Sequence, residues 1–336
     1  MNRRNAIALA CSLPLLALAG ASGASAGYAQ RPDVLAFVER MRIEHGFSAS
    51  ALRQLFGRVR YQPQVIEAMS RPIVSPPSYE DFAARFLEPE RIDAGVEFWR
   101  AHTDALERAR STFRIPPEIV VAILGVETYY GRNTGRYRVI DALTTLAFDY
   151  PRRADYFRGE LEQFLLLARE QGISALDPRG SYAGAIGLPQ FMPGSIRRYA
   201  VDFDGDGRID LANDAEDAIG SVASYLDRYG WRPGQPVMAP ARIEGPGAET
   251  LLASFDAGIA ERRPLAAWTR AGVTGFTIPG DLAPDPIGLV MLEISGAPTY
   301  WLTFENWHVL RRYNRSRLYA STVWALSEEL RERMAP

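Results

Sequence analysis

The sequence predicts a mainly α protein of the α+β class, and two observations carry this prediction. In the first two thirds of the chain, apolar residues recur at helical spacing, as in Val34, Phe37 and Met41. In the last third, Pro and Gly become frequent, and two short β-type runs, 287–294 and 299–304, flank a turn. We therefore expect a large helical part and a small β-containing subdomain.

The chain has 336 residues, enough for one large domain or about two to three small ones. Changes in composition divide it into consecutive regions. We expect a signal peptide at 1–26, an N-terminal α-helical region at 27–110, a core at 111–231 with an acidic loop at 202–217, a small β-containing subdomain at 232–298, and a C-terminal segment at 299–336 that returns to the core. Residues 78–98 belong to this helical region and are expected to carry an extended arm over the body of the fold. Trp324–Met334 are expected to form the last helix.

Composition excludes several classes of function. The net charge of −2 provides no general attraction to nucleic acid. All 38 basic residues are Arg, which excludes a Schiff-base lysine and a Walker-type phosphate loop. His45, His102 and His308 are far apart and lack zinc-site spacing. We expect no organic cofactor and no nucleic-acid partner.

The first 26 residues have the pattern of a secretory signal peptide. Arg3 and Arg4 precede an apolar run at 6–20, and Ala24–Ala26 form an A-x-A cleavage site. Cleavage there would remove Cys11, the only cysteine, so the exported protein would have no disulfide. A lipid anchor at Cys11 is the alternative.

A carboxylate interrupts the apolar face of one predicted helix. This helix covers 118–130, begins after Pro116–Pro117 and is expected to end at Gly131. Glu127 shares its face with Val120, Ile123 and Leu124. A buried carboxylate without a partner tends to stay protonated, which is the state that a general acid needs. The alternative is an ion pair with Arg132, Arg136, Arg152 or Arg153.

The segment 181–193, SYAGAIGLPQFMP, has the composition of a ligand cleft. Its small residues would let a ligand approach the backbone, and Ser181, Tyr182 and Gln190 offer hydrogen-bonding groups. Tight helix packing is the alternative explanation for the Gly and Ala residues.

Residues 202–210, DFDGDGRID, match the first part of an EF-hand loop. Asp202, Asp204 and Asp206 stand at its first three ligand positions, and Arg208 would contribute its backbone carbonyl. Asn213 replaces the usual Glu at position twelve. Oxygen ligands favour a hard cation, so we expect structural Ca²⁺, with an acidic surface turn as the alternative.

The blocks VETYYGRNTGRYRVIDALTTLAFDYPRRADYF (126–157) and SYAGAIGLPQFMPGSIRRYAVDFDGDGRIDL (181–211) together closely resemble the B-type lytic murein transglycosylases. The resemblance is dense from Ile115 to Trp231 and returns at Tyr313–Ser316. It implies that 111–231 is a lysozyme-like catalytic core and that the protein acts in the periplasm on peptidoglycan glycan strands. We expect a monomer, with cell-wall synthesis proteins as candidate further partners.

The resemblance also implies the roles of individual residues. Glu127 corresponds to the single catalytic acid/base, and Asp217 to the acid that completes the calcium loop, although Glu216 is the neighbouring alternative. The residues implied in substrate binding are Ser181, Gln190, Met192, Tyr225, Tyr313, Asn314, Arg152 and Arg153.

The implied reaction needs one carboxylate. Glu127 would protonate the bond between N-acetylmuramic acid and N-acetylglucosamine, and would then deprotonate the C6 hydroxyl that forms a 1,6-anhydro ring, with assistance from the substrate's N-acetyl group. A hydrolytic muramidase would need a second carboxylate, for which Asp141 and Asp149 are the candidates. A non-catalytic peptidoglycan-binding scaffold is the other alternative.

Overall fold

The computed structural model describes residues 27–71, 77–278 and 286–335. The expected signal peptide and Cys11 lie outside these residues, so the prediction of export stays a prediction. The chain separates into two compact units, Met1–Val59 and Arg60–Pro336. Each unit has its own set of helices.

The described part of the smaller unit is a pair of helices. A 3₁₀ turn at Tyr28–Gln30 is followed by α1 (Pro32–His45) and α2 (Ala49–Phe56). Phe37 of α1 packs edge to face on Phe56 of α2, with ring centroids 6.0 Å apart. This contact matches the helical spacing of apolar residues that predicted α1.

The described part of the larger unit is built mainly from helices, with a five-stranded sheet and a separate two-stranded one. Its described helices are α3 (Pro63–Ser70), α4 (Tyr79–Ala83), α5 (Pro89–Ala101), α6 (Thr103–Phe113), α7 (Pro117–Thr128), α8 (Val139–Asp149), α9 (Ala154–Glu170), α10 (Pro193–Tyr199), α11 (Ala215–Arg228), α12 (Ala248–Ala253), α13 (Leu265–Arg270), α14 (Glu305–Tyr313) and α15 (Arg317–Met334). Its described strands are β1 (Tyr137–Arg138), β2 (Arg179–Gly180), β3 (Met238–Ile243), β4 (Ile259–Arg263), β5 (Val273–Thr274), β6 (Ile287–Ile294) and β7 (Ala297–Thr303).

Two boundaries near the ends of the chain differ from the predictions. The N-terminal unit ends at Val59 rather than at residue 110, because α5 and α6 pack on α7 and belong to the larger unit. Residues 78–98 are helical, as the apolar spacing predicts, and form α4 and most of α5. Helix α15 begins at Arg317, before the predicted start at Trp324, because the Ser316 hydroxyl caps its first turn.

Helix α7 is the centre of the larger unit. Proline occupies its first position, where the missing N–H costs no hydrogen bond. Nearly every residue from Pro117 to Thr128 is buried, and α5, α6, α11 and α15 pack around it. Because α7 is apolar on all sides, its last turn can present a polar side chain only toward an opening between its neighbours.

The small sheet accounts for the β-type pattern in the sequence. Five described strands pair in the antiparallel order β4-β6-β7-β3-β5. The predicted hairpin is present, and Ser295 and Gly296 at its tip both have positive φ, as a two-residue turn of this hand requires. Strand β7 extends the sheet to Thr303, beyond the expected boundary at residue 298, because it pairs with both β6 and β3.

One face of the sheet has its own apolar core. Trp268 of α13 and Leu251 of α12 pack there with Leu289 and Leu302 of the central strands. A separate ladder of β1 and β2 pairs Tyr137 with Gly180 and connects the start of α8 to the segment that was predicted to line a cleft. Among the described residues, no helix has the length and apolar character needed to cross a membrane.

Candidate active site

The side chain of Glu127 lies in the last turn of α7 and is only partly exposed. Burial raises the pKa of its carboxyl to about 7, although a hydrogen bond from the Tyr319 hydroxyl acts in the opposite direction. Within the described part of the chain, no arginine lies at ion-pair distance from this carboxyl, so the predicted alternative of a salt bridge is not found. A large fraction of Glu127 is therefore protonated at neutral pH, as a general acid must be.

Tyr319 is a site residue that the sequence did not predict. Its hydroxyl, on α15, donates to Oε1 of Glu127 across 2.7 Å. Burial and the nearby Glu127 charge keep the pKa of Tyr319 well above its usual range, so the phenol stays a donor. A sequence signal did exist: Tyr319 shares a helical stripe with Val323, Leu326 and Leu330, all buried. Like Glu127, it places a polar atom on an apolar face.

The chain turns sharply after Glu127. Tyr129 and Tyr130 both adopt the left-handed conformation, with φ of 55° and 56°, which costs of order 1 kcal/mol or more for each residue. The Tyr130 hydroxyl fits between Gly95 and Gly125, where an added Cβ would lie within 2.6 Å of it. Arg91 lies over the Tyr129 ring at 4.2 Å. The predicted helix end at Tyr130 was therefore wrong, because α7 stops at Thr128.

Ser181 opens the predicted cleft segment and organises its first turn. Its Oγ accepts hydrogen bonds from the backbone N–H groups of Ala183 and Ala185, at 3.3 and 3.1 Å. These two bonds leave the hydroxyl proton of Ser181 available for a ligand. The side chain is partly exposed, as a binding role requires.

Gln190 has a left-handed backbone, with φ of 50°. Its Nε2 donates to the carbonyls of Thr134 and Gly187, at 3.0 and 2.9 Å. Because both amide protons are used within the fold, Oε1 is the atom that Gln190 can offer to a ligand. Met192, partly buried, lies immediately before α10.

Tyr225 and Tyr313 form an aromatic wall next to the acid. Their ring centroids lie 4.9 Å apart, and Tyr313 stacks on Tyr319 at 6.3 Å. Both hydroxyls donate to backbone carbonyls, Tyr225 to Arg312 at 2.8 Å and Tyr313 to Pro189 at 2.5 Å. The structure thus brings both predicted tyrosines to Glu127 through Tyr319, while their hydroxyls hold neighbouring segments in place.

The other three predicted substrate residues lie at the surface. Asn314 follows α14, and its Oδ1 accepts from the backbone N–H of Ser316, 3.2 Å away. Arg152 and Arg153 occupy the exposed 3₁₀ turn before α9, and the Arg153 guanidinium lies 4.4 Å from the Tyr156 ring centre. No contact among the described residues joins either arginine to Glu127.

Neither candidate for a second carboxylate is placed beside Glu127 by a described contact. Asp141 is only 2% exposed, and its oxygens accept from the Arg138 guanidinium at 2.8 and 2.9 Å and from the Arg60 N–H at 3.0 Å. Because both of its oxygens accept hydrogen bonds from within the fold, Asp141 stabilises the structure. Asp149 is the last residue of α8.

Three carboxylates of the acidic loop come together. One oxygen from each of Asp202, Asp204 and Asp217 can be chosen so that all three lie within 4.8 Å of one another. Glu216 instead forms an ion pair with Arg108 at 2.6 Å. The structure therefore favours Asp217 over Glu216 as the acid that completes the loop.

Backbone hydrogen bonds hold the loop in a curled conformation. Oδ1 of Asp206 accepts from the N–H of Arg208 at 2.8 Å. The two oxygens of Asp217 accept from the N–H groups of Phe203 and Asp210, each at 2.7 Å. An all-oxygen donor set of this kind fits a hard cation such as Ca²⁺.

An α-rich fold with one partly buried acid at the end of a central helix is the arrangement of a lysozyme-like glycan-cleaving protein. The family model described as "Transglycosylase SLT domain" matches residues 29–328 of this chain. The chain belongs to this family, which confirms the resemblance found in its sequence.

Individual relatives agree with this assignment. The chain is 38% identical over 310 residues to membrane-bound lytic murein transglycosylase B of Escherichia coli K12, covering 90% of this chain and 83% of that protein. The crystal structure of soluble lytic transglycosylase SltB1 from Pseudomonas aeruginosa superposes with a TM-score of 0.84 at 43% identity, covering 90% of this chain and 100% of the other.

Two further solved structures carry ligands. Escherichia coli lytic transglycosylase Slt35 in complex with calcium has a TM-score of 0.82 at 38% identity, covering 91% of this chain and 95% of that one. Pseudomonas aeruginosa SltB3 in complex with NAG-anhNAM-pentapeptide has a TM-score of 0.78 at 29% identity, covering 89% of this chain and 79% of that one.

Proposed function

We propose that this protein is a lytic transglycosylase that cleaves the β-1,4 bond between N-acetylmuramic acid and N-acetylglucosamine in peptidoglycan and leaves 1,6-anhydromuramic ends. The observation that carries the proposal is Glu127, a single carboxyl whose pKa burial raises to about 7, beside an aromatic wall. The relatives are lytic transglycosylases by name, and SltB3 has been solved with an anhydro-muramyl ligand.

The first step uses the protonated form of Glu127. Because Tyr319 occupies Oε1, Oε2 is the oxygen that would face the glycosidic bond and deliver the proton to its bridging oxygen. The bond to the muramic C1 then breaks, and N-acetylglucosamine leaves with the new hydroxyl. The substrate's own N-acetyl oxygen stabilises the positive charge at C1, as in substrate-assisted glycosidases.

The second step uses the ionised form of Glu127. The carboxylate takes the proton of the muramic C6 hydroxyl, whose oxygen attacks C1 and closes the anhydro ring. Tyr319 matters most here, because its hydrogen bond to Oε1 is stronger when the acceptor is charged. The proton returns to Glu127, so the acid is restored and no water is consumed.

The cleft residues bind and orient the sugars in this proposal. Ser181 would donate its free hydroxyl proton, and Gln190 would accept through Oε1. Tyr225, Tyr313 and Met192 would provide apolar wall surface, with Asn314 at the rim. Arg152 and Arg153 would meet the carboxylates of the stem peptides, because both are exposed cations.

A hydrolytic muramidase remains the second candidate function. It would need a carboxylate that activates water on the opposite face of the sugar. Asp141, one of its two candidates, is closed off by Arg138 and the N–H of Arg60. This observation favours the transglycosylase.

We also propose that the acidic loop binds a structural Ca²⁺. Asp202, Asp204, Asp206 and Asp217 would supply carboxylate oxygens, and Arg208 its backbone carbonyl. The Slt35 structure with calcium supports a cation in this family. The ion would neutralise a cluster of negative charge and hold the start of α11, the helix that carries Tyr225.

We propose that the protein works as a monomer in the periplasm, exported through residues 1–26, with a lipid anchor at Cys11 as the alternative. Its partner would be the peptidoglycan glycan strand, with cell-wall synthesis proteins as candidate further partners. Mass spectrometry of the N-terminal peptide of the exported protein would distinguish cleavage near residue 26 from acylation at Cys11.

Mass spectrometry of soluble products from purified peptidoglycan tests the reaction. We expect anhydro-ended products from the wild type, lighter by one water than hydrolysis products, and none from Glu127→Gln. Glu118→Gln is the matched control, because Glu118 lies on the same helix and burial also raises its pKa. Reducing ends would indicate the hydrolase instead, and turnover by Glu127→Gln would exclude Glu127 as the acid.

A further inference from the structure

The hydroxyl of Thr128 lies at a junction next to the catalytic acid. Thr128 is 1% exposed, and its Oγ1 donates to the carbonyl of Leu188 at 2.9 Å, with the Leu124 carbonyl at a longer 3.3 Å. The same oxygen accepts from the N–H of Gly131 at 3.0 Å. One side chain thus connects the last turn of α7, the turn that follows it and the cleft segment.

The peptide segment that Thr128 contacts is held from two other directions. The N–H of Leu188 donates at 2.7 Å to the carbonyl of Leu211, which lies within the acidic loop. The next carbonyl, that of Pro189, accepts the Tyr313 hydroxyl. Gln190 follows directly. The Leu188 carbonyl is therefore a fixed point on the cleft wall, whose position does not depend on α7 alone.

Glu127 needs such a fixed point because α7 ends immediately after it. Tyr129 and Tyr130 leave the helix in left-handed conformations, so the chain beyond Glu127 provides no further helical turn to support it. We propose that Thr128 is a positioning residue that sets how deeply Glu127 projects into the cleft, by fastening the end of α7 to the Leu188 carbonyl. This inference rests on the proposed role of Glu127 as the acid.

The end of a helix does not require the hydrogen bond from Thr128 to Leu188, which joins residues 60 positions apart in the sequence. Thr128 could cap its own turn through Leu124 and Gly131 alone. The contact with Leu188 instead fixes the distance between the acid and the segment that carries Gln190. A displacement of about 1 Å at such a point can lower turnover about a hundredfold.

The test compares Thr128→Val, which keeps the shape and removes the hydroxyl, with Thr128→Ser, which keeps the hydroxyl. Thr144→Val is the matched control, because Thr144 is equally buried in α8 and its hydroxyl has no hydrogen-bond partner among the described residues. We expect Thr128→Val to lower kcat about tenfold to a hundredfold with little change in KM. Thr128→Ser and Thr144→Val should retain most of the wild-type kcat.

A pH titration separates positioning from a merely structural role. The titratable groups that face Glu127 are Tyr319 from α15 and Tyr313 from α14, and Arg91 of α5 contacts the same helix end through the Gly125 carbonyl at 2.8 Å. If Thr128→Val lets Glu127 tilt toward water, its desolvation decreases and its pKa falls toward 4.5. The basic limb of kcat/KM should then move to lower pH, by about one unit, and Thr128→Ser should restore it.

A direct measurement keeps this inference separate from the proposed reaction. The Glu127 carboxyl can be titrated by ¹³C NMR in glutamate-labelled protein, with its signal assigned by loss in Glu127→Gln. A lower pKa in Thr128→Val but not in Thr144→Val supports positioning even if the products prove to be hydrolytic. An unchanged pKa together with unchanged kcat, or equal losses in Thr128→Val and Thr144→Val, would overturn it.

Discussion

At the scale of single residues, burial destabilises the ionised form of Glu127, the proposed acid. The unfolded carboxyl has a pKa of 4.5, and in the fold burial raises the pKa to about 7. Between pH 4.5 and about 7, the Glu127 carboxyl is therefore mostly protonated in the folded protein and mostly ionised in the unfolded protein. The associated stability is fully present below pH 4.5 and is lost as pH rises through 7.

This difference predicts that Glu127→Gln stabilises the protein, and more so at pH 8 than at pH 4. Gln does not titrate and keeps the shape of the protonated acid. The gain at pH 8 should be about 1–3 kcal/mol, since one pKa unit corresponds to about 1.4 kcal/mol and partial exposure reduces the effect. Denaturant unfolding at both pH values measures it. An equal gain at pH 4 and pH 8 would contradict the linkage.

The Tyr319 hydroxyl has the opposite effect on the same carboxyl. Because it donates to Oε1, it favours the ionised form, so Tyr319→Phe should raise the Glu127 pKa further and move the basic limb of kcat/KM to higher pH. We expect kcat to fall about tenfold, because the second step of the proposed reaction needs the carboxylate. The pH–rate profile measures both effects.

Tyr79→Phe is the control for this experiment. Tyr79 is also buried against α15, and its hydroxyl donates to the backbone carbonyl of Ser321 at 3.3 Å rather than to Glu127. Its profile should match that of the wild type. A Tyr319→Phe profile that moves to lower pH would mean that the loss of the ring's hydroxyl opens the site to water.

The sequence could predict Glu127 but not Tyr319 or Thr128, and the reason is physical. Glu127 departs from a local apolar pattern, which period and spacing reveal. Tyr319 reaches it from 192 residues away, and the partner of Thr128 is 60 residues away. A polar atom on an apolar stripe indicates that a partner exists, but only the packing of helices identifies which partner it is.

At the scale of elements, the acidic loop combines a predictable part with an unpredictable one. Its Asp and Gly spacing indicated the ligand positions, but spacing alone left Glu216 and Asp217 as alternatives. In the structure Asp217 is buried, and its oxygens accept from the N–H groups of Phe203 and Asp210, beside Asp202 and Asp204. Glu216 instead pairs with Arg108 of α6 at 2.6 Å. These contacts, and not the spacing of the loop, distinguish the two acids.

This arrangement predicts that calcium raises the melting temperature of the wild type and of Glu216→Gln, but not of Asp217→Asn. Saturation at about a hundred times Kd would stabilise the folded state by about 2.7 kcal/mol. Thermal unfolding in millimolar calcium and in chelator measures the difference, and calorimetric titration measures binding. A full calcium response in Asp217→Asn would remove Asp217 from the site.

Helix α7 can be predicted although it is apolar on all sides, because proline marks its start. Helix α8 has no such signal: every residue from Val139 to Ala147 is buried, and Arg138 before it makes no side-chain cap hydrogen bond. Residues 78–98 form α4 and most of α5, but the helices on which they pack, α7 and α15, lie far along the chain, so the sequence alone could not place this segment on the fold. Tertiary contacts determine the secondary structure and the position of such segments.

At the scale of the larger unit, α15 joins the sheet to α7. It packs along α7, where Tyr319 reaches Glu127. From the same helix, Arg317 donates to the carbonyls of Ala257 and Met291, at 2.8 and 2.9 Å, and Trp324 packs on Trp301 of β7 with ring centroids 5.2 Å apart. The position of the sheet and the position of Tyr319 therefore depend on one element.

This connection predicts a local effect of Trp324→Ala. Loss of the indole removes its packing against β7 and should destabilise the sheet by about 2–4 kcal/mol. Amide hydrogen exchange should accelerate about tenfold or more in β6 and β7 while α8 and α9, which pack on each other, stay protected. Leu252→Ala is the control, because Leu252 is exposed on α12. Faster exchange throughout the larger unit would instead mean that sheet and helices unfold as one cooperative body, and unchanged exchange in β7 would show that the indole contact contributes little.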